Sequence, residues 1–247
     1  MPYALDLDGV LWLAHEPIPG AAEAVAALRA GGEQVLFCTN NSSEPVAAVE
    51  AKLENLGVPA RGDVLTSAMA VAGRVRAGER VLVCAGPGVA EAVEGRGATA
   101  VREGDADAVV VGFHLDFDYG RLRAAATAVR RGARLLATND DPTYPTPLGP
   151  IPGGGAILAA VERASGTAAE VAGKPHQPMV DLVLERLGSR GVVVGDRPDT
   201  DGLFARALGF RFALVLSGVT RPGDPVDPAP DEVARDLAAL VAAHGYC

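Results

Sequence analysis

Short apolar segments of strand length alternate with amphipathic helical segments along most of this 247-residue chain. Apolar runs without polar alternation are typical of parallel strands buried on both faces, and strand–helix alternation favours right-handed crossovers between them. The sequence therefore predicts an α/β fold with doubly wound parallel sheet, in one domain or two. We predict strands at residues 3–5, 34–38, 80–85, 108–112, 134–137, 191–194 and 212–216, and helices at 21–30, 44–56, 118–131, 156–165 and ending at 187.

Polar side chains gather where three of these strands end. In an open parallel sheet, ligands bind beyond the carboxyl ends of the strands. A single aspartate after a strand is usually a helix cap or turn residue, but three clusters at one edge, with Lys174 following a glycine, indicate a ligand site. The clusters are Asp6 and Asp8; Thr39, Asn40 and Asn41; and Asp196, Asp199 and Asp201.

Composition excludes several classes of partner. The chain carries 22 basic and 31 acidic residues, a net charge of −9, and only 4% aromatic residues. The negative net charge gives the protein no overall positive potential that would attract nucleic acid, and few aromatic side chains are present to stack on bases. We therefore expect no nucleic-acid partner. The densest basic segment, with arginines between residues 121 and 134, is typical of a solvated helix face.

We expect a cytoplasmic protein without a membrane partner. The sequence shows neither a signal peptide nor an apolar run long enough to span a bilayer. Three widely spaced cysteines, Cys38, Cys84 and Cys247, fit a reducing compartment, and the first two lie in apolar runs that indicate buried thiols.

Two other motifs are weak. Gly86-Pro87-Gly88 follows a predicted strand, but Glu91 occupies the third glycine position of a dinucleotide-binding loop. The four histidines, His15, His114, His176 and His244, lack the spacing of a zinc site.

Four segments resemble, in order, the motifs of phosphatases of the haloacid dehalogenase (HAD) superfamily. They are residues 6–12 (DLDGVLW), 37–42 (FCTNNS), 173–175 (GKP) and 195–201 (GDRPDTD). Within that superfamily the chain looks like the subgroup of NagD-type, 4-nitrophenyl-phosphate and phosphoglycolate phosphatases, and the similarity also includes residues 138–145. Four motifs in the right order are far more specific than any one of them.

The resemblance implies a role for each motif residue. Asp6 would be the nucleophile that becomes an aspartyl-phosphate and would also bind Mg²⁺. Asp8 would give its main-chain carbonyl to the metal and use its side chain as general acid and base. The i, i+2 spacing of Asp6 and Asp8 puts both carboxylates on one side of an extended segment, and Gly9 permits the sharp exit.

The other motifs would bind the phosphoryl group and the metal. Thr39 would supply a hydroxyl and Asn40 a main-chain N–H to the phosphoryl oxygens, with Asn41 beside them, and Lys174 would pair with the phosphoryl group and with Asp6. Asp196 would bind Mg²⁺ and Asp201 would orient its ligands. The smaller expectations are that Arg197 braces the acidic cluster, Asp199 is a turn or cap residue, Trp12 packs near the site, and His176 orients the Lys174 loop.

The segment between the second and third motifs indicates an inserted module. Residues 80–169 have their own strand–helix alternation, so we predict an α/β cap inserted into a discontinuous core of residues 1–79 and 170–247. The resemblance implies that the cap closes over the site and selects substrates. Asn139, Asp141, Tyr144 and the helix entry at 153–155 would face the site, and a homodimer through the cap is an expectation.

The sequence thus predicts a Mg²⁺-dependent phosphatase of small phosphate monoesters. A phosphomutase on the same fold is a related alternative, and a non-catalytic phosphometabolite-binding or regulatory protein is an alternative from another class. A C–Cl hydrolase is disfavoured, because a halide leaving group needs no proton and the reaction would not use Asp8 as a general acid. The candidate substrates, which include glycolate phosphate, glycerol phosphate, nucleotides and pyridoxal phosphate, stay open.

Overall fold

The computed structural model describes residues 1–13, 16–146 and 149–246. His15 and Cys247, named above, lie outside the described residues. The strands are β1 (Tyr3–Leu5), β2 (Trp12–Leu13), β3 (Glu16–Pro17), β4 (Val35–Thr39), β5 (Val64–Thr66), β6 (Arg80–Cys84), β7 (Thr99–Val101), β8 (Ala108–Val111), β9 (Arg134–Ala137), β10 (Thr143–Tyr144), β11 (Ile151–Pro152), β12 (Glu170–Val171), β13 (Val192–Gly195), β14 (Arg211–Val215) and β15 (Glu232–Ala234). The helices are α1 (Ala21–Ala30), α2 (Val46–Asn55), α3 (Ser67–Ala72), α4 (Pro87–Glu94), α5 (Tyr119–Arg130), α6 (Gly154–Ser165), α7 (Gln177–Leu187), α8 (Leu203–Leu208) and α9 (Leu237–Ala243).

Two parallel sheets organise these elements. The first has the strand order β15-β14-β13-β1-β4-β5 and the second the order β12-β9-β8-β6-β7, and every pairing within them is parallel. The predicted α/β class with parallel sheet is confirmed. The second sheet uses residues 80–171, whereas the predicted cap ends at residue 169. Strand β12 of this sheet therefore lies just after the predicted boundary between cap and core.

Apolar burial on both faces explains why these segments form strands. Every residue of β1, β8 and β13 is buried. Helices pack over the faces with apolar residues at helical spacing, as in α1, where Ala21, Ala24, Val25 and Leu28 are buried. Cys38 and Cys84 are buried free thiols, as predicted, and burial raises their pKa to about 12 and about 11.

The order of the first sheet brings distant motifs together. Strand β1 pairs with both β13 and β4, in the registers Leu5↔Val194 and Leu5↔Phe37. The residues that follow these three strands therefore meet at one sheet edge. No helix among the described residues is long and apolar enough to cross a membrane.

Candidate active site

Lys174 is the centre of the site. Its Nζ lies 2.8 Å from Asp6 Oδ1 and 2.7 Å from Asp201 Oδ1, and the residue is only 2% exposed. Burial alone would lower the pKa of Lys174, but the two carboxylates raise it above its ordinary value. The ammonium group is therefore charged, and it holds two carboxylates that come from different strand ends.

Three carboxylates converge beside this lysine. Asp6, Asp196 and Asp201 each offer an oxygen, and these oxygens lie within 4.8 Å of one another. Burial raises the pKa of Asp6, and burial with repulsion from Asp6 and Asp201 raises the pKa of Asp196. Burial also raises the pKa of Asp201 to about 6, although Lys174 opposes the rise. One ammonium group thus contacts two of three clustered carboxylates, and a divalent cation would neutralise the excess negative charge.

Local backbone geometry brings the acidic residues so close. After β13 the chain makes a π-helical turn, Pro198–Gly202, which carries Asp201 back so that its N–H donates to the Arg197 carbonyl at 2.7 Å. Asp196 Oδ2 accepts a 2.6 Å hydrogen bond from the Val219 N–H. Gly9 has φ +79°, and a Cβ there would lie 2.4 Å from Asp196 Oδ2. Only glycine fits this turn beside the acidic cluster.

Asp8 lines the same cavity as Asp6, as the i, i+2 spacing predicts. The Trp12 indole Nε1 donates to Asp8 Oδ1 at 3.0 Å. Burial raises the pKa of Asp8, while Lys52 and the indole hydrogen bond counter part of the rise. Asp8 is therefore a carboxyl group in an environment that favours its protonated form more than water does.

The polar end of β4 has a structural function that the sequence did not indicate. Asn40 Oδ1 accepts the Lys174 N–H at 2.8 Å, and Asn40 Nδ2 donates to the Lys174 carbonyl at 3.0 Å and to Asp141 Oδ2 at 2.9 Å. Thr39 Oγ1 accepts the Asn41 N–H at 3.0 Å. The Asn40 side chain thus fixes the main chain of Lys174.

The loop after β9 lies across the cavity. Asn139, Asp141 and Tyr144 all line it. Asn139 Nδ2 donates to the Asn40 carbonyl at 2.8 Å. The Tyr144 ring stacks on Phe113, with ring centroids 5.1 Å apart. The predicted loop residues therefore join the two sheets and form one wall of the cavity.

The remaining predicted residues lie at the margin. Arg197 lines the cavity and lies 3.3 Å from Asp199, whose side chain is 67% exposed. His176 Nε2 lies 3.3 Å from Asp140, between the Lys174 loop and the loop after β9. Asp199 is thus a surface partner of Arg197, outside the acidic cluster.

Comparison with known proteins agrees with these motifs. A family model for haloacid dehalogenase-like hydrolases matches residues 3–99, and a second HAD-hydrolase-like model matches residues 171–240. The chain is 38% identical over 248 residues to the D-glycerol 3-phosphate phosphatase of Mycobacterium tuberculosis, covering 96% of this chain and 69% of that protein. The chain belongs to the haloacid dehalogenase-like hydrolases.

Solved structures of this hydrolase family superpose on nearly the whole chain. The 4-nitrophenylphosphatase of Thermotoga maritima has a TM-score of 0.89 at 32% identity, covering 98% of this chain and 96% of its own. The M. tuberculosis glycerol phosphate phosphatase in complex with magnesium has a TM-score of 0.87 at 36% identity, covering 97% and 75%.

The cavity of this HAD hydrolase contains residues that the sequence reasoning missed. Phe113, Thr143, Thr200 and Val219 line it together with the predicted residues. Phe113 follows the end of β8, so the strand-end argument applied to the second sheet would have found it. Thr200 Oγ1 lies 3.3 Å from Asp141 Oδ1, a contact across 59 residues that no local pattern signals.

Proposed function

We propose that this HAD hydrolase is a Mg²⁺-dependent phosphatase that hydrolyses small phosphate monoesters through an aspartyl-phosphate on Asp6. The observation that carries the proposal is the buried lysine between two carboxylates at the floor of a cavity, with a third carboxylate beside them. An anionic nucleophile and an anionic substrate can approach each other only where fixed positive charge offsets their repulsion.

The oxygen ligands of the acidic cluster fit Mg²⁺. Asp6, Asp196 and Asp201 are hard carboxylate donors. Burial raises the pKa of Asp6 and of Asp196, and a cation bound between them would favour their ionised forms. The main-chain carbonyl of Asp8 is a further ligand by the family pattern. Bound Mg²⁺ supplies charge neutralisation and polarises the phosphoryl oxygens.

The proposed reaction has two steps. In the first, an Asp6 carboxylate oxygen forms a bond to phosphorus while the bond to the leaving oxygen breaks, and Asp8 gives its proton to that oxygen. In the second, Asp8 takes a proton from water, the water oxygen attacks phosphorus, and the bond to Asp6 breaks. Inorganic phosphate leaves, and both aspartates return to their starting states.

The remaining residues bind the phosphoryl group and the substrate. Lys174 pairs with the transferring group, and Thr39, Asn40 and Asn41 offer donors at the end of β4. The proposed cap, residues 80–169, contributes Asn139, Asp141 and Tyr144, which limit the size and polarity of the leaving group. The names of the relatives point to glycerol phosphate and aryl phosphates as first candidates, and a homodimer and a cytoplasmic location belong to the same proposal.

Hydrolysis of 4-nitrophenyl phosphate with and without Mg²⁺ tests the assignment. We expect turnover with Mg²⁺, its loss in EDTA, and its loss in Asp6→Asn. Asp105→Asn is the matched control, because Asp105 has a side chain that is 88% exposed. Full activity of Asp6→Asn would refute the nucleophile, and phosphate binding without turnover would favour the non-catalytic alternative. A panel of glycerol phosphate, glycolate phosphate, nucleotides and pyridoxal phosphate would then rank the substrates.

A further inference from the structure

Trp12 is the only tryptophan of the chain, and it is 4% exposed beside the candidate acid Asp8. Its indole Nε1 donates to Asp8 Oδ1 at 3.0 Å. Main-chain hydrogen bonds close the turn between them, since Gly9 N–H donates to the Trp12 carbonyl at 2.7 Å and Leu11 N–H donates to the Leu7 carbonyl at 2.9 Å. The backbone that carries both side chains is therefore fixed.

A second element holds the indole ring from its face. Lys52, on α2, places its Nζ 3.8 Å from the centroid of the Trp12 ring. A cation over an indole face is attracted by the negative face of the ring. The ring is thus held on its face by Lys52 and at its edge by Asp8, which leaves little freedom for it to turn away from the carboxyl group.

The indole hydrogen bond distinguishes the two oxygens of Asp8. An indole N–H can only donate, so Oδ1 is the accepting oxygen and Oδ2 lies outside this bond. The bond therefore opposes rotation of the carboxyl group about its Cβ–Cγ axis. A carboxyl group without such a donor could exchange its two oxygens, whereas this one keeps Oδ1 on the indole.

We propose that Trp12 is a positioning residue that holds the Asp8 carboxyl group in the orientation from which it protonates the leaving oxygen. The inference rests on the proposed phosphatase function. A tryptophan that only fills space would affect all substrates equally when altered. A positioning residue for the acid affects most those substrates whose leaving oxygen depends on a proton.

Two aryl phosphates of nearly the same shape separate these roles. Phenolate is a more basic leaving group than 4-nitrophenolate, so phenyl phosphate needs the Asp8 proton more than 4-nitrophenyl phosphate does. The value of kcat/KM reports the steps up to cleavage of the ester. For Trp12→Phe we expect kcat/KM to fall about 10-fold on phenyl phosphate and less than about twofold on 4-nitrophenyl phosphate. Tyr119→Phe, at an exposed aromatic residue, should change neither value.

Because Trp12 is the single tryptophan, it can also be replaced with an isostere throughout the protein. Growth on β-(3-benzothienyl)alanine would put sulfur in place of the indole N–H at this position alone and keep the shape of the ring. We expect the same selective loss on phenyl phosphate with unchanged thermal unfolding. The isostere keeps the test decisive if Trp12→Phe folds poorly.

Any one of four results would overturn the inference. Equal losses on both substrates, or no loss in the isostere, would make Trp12 a packing residue. Trp12→Phe should no longer lower kcat/KM selectively on phenyl phosphate when it is added to Asp8→Asn. A selective loss in that comparison would show that the effect of Trp12 does not pass through Asp8. Wild-type protein that is inactive on both substrates with Mg²⁺ would overturn the proposed function as well, whereas active wild type with an unchanged ratio overturns the inference alone.

Discussion

Replacing Lys174 with methionine would remove the only ammonium group that contacts the acidic cluster among the described residues. Lys174 Nζ lies 2.8 Å from Asp6 and 2.7 Å from Asp201, and the side chain is 3% exposed. Methionine has a similar length and no charge, so the substitution leaves the packing volume nearly unchanged. The perturbation is therefore electrostatic, and it leaves Asp6 and Asp201 without their ammonium partner.

The magnitude follows from burial and from proton uptake. Removing one partner of a buried ion pair costs about 3–5 kcal/mol, because the remaining charge is uncompensated. The carboxylates can take up protons and so escape part of this cost. We therefore expect the free energy of unfolding of metal-free Lys174→Met to fall by about 3 kcal/mol at neutral pH.

Urea unfolding in the presence of a chelator measures this loss without a contribution from bound metal. Arg131→Met is the matched control, because Arg131 is 67% exposed and pairs with Asp105 at the surface; its loss should stay below about 1 kcal/mol. Adding Asp201→Asn to Lys174→Met should restore at least about 1 kcal/mol, because it removes one of the repelling charges. A Lys174→Met loss no larger than that of the control would refute the buried charge cluster.

Three further predictions concern the same cluster. Mg²⁺ should raise the melting temperature of the wild type and not that of Asp196→Asn, as measured by calorimetry, because the variant lacks one carboxylate ligand. Asp201 has a pKa of about 6 in the folded protein against 3.8 ordinarily, so the folded state holds its proton more tightly and the free energy of unfolding falls as the pH rises between these values. We therefore compare the free energies of unfolding of Asp201→Asn and wild type in metal-free urea titrations. The value for the variant minus that for wild type should increase by up to about 3 kcal/mol from about pH 4 to about pH 7. Gly9→Ala should unfold about 1–3 kcal/mol more easily and lose activity, because φ is +79° and the new Cβ would meet Asp196; wild-type stability would contradict this.

The fold and the floor of the site were predictable because both depend on local pattern. Buried runs such as Ala108–Val111 and Val192–Gly195 identify parallel strands by composition alone. Once the strands are known, the rule that ligands bind at their carboxyl ends selects Asp6, Thr39 and Asp196. The short elements α3, α4 and α9 were not predicted, since segments of 6 to 8 residues rich in alanine and valine carry little periodicity.

The hydrogen bonds that connect the site residues could not be predicted, because they join segments that are distant in sequence. Asn40 matches the family as a main-chain donor, yet its side chain binds the Lys174 main chain across 134 residues. The contact of Asn40 with Asp141 spans 101 residues. Such pairs depend on how the two sheets meet, and neither hydrophobic period nor turn chemistry specifies that arrangement.

The charge of the site explains how an acidic protein can hold an anionic substrate. The whole chain has a net charge of −9, and Asp6, Asp196, Asp201 and Lys174 together carry −2 when all are ionised. A phosphate dianion would meet repulsion from both the protein and its own site. A divalent cation held by the three carboxylates would bring the local sum to zero and would remove the repulsion that comes from the site. The excess of acid over base at the floor of the cavity therefore favours a divalent cation such as Mg²⁺ at this site when an anionic substrate is present.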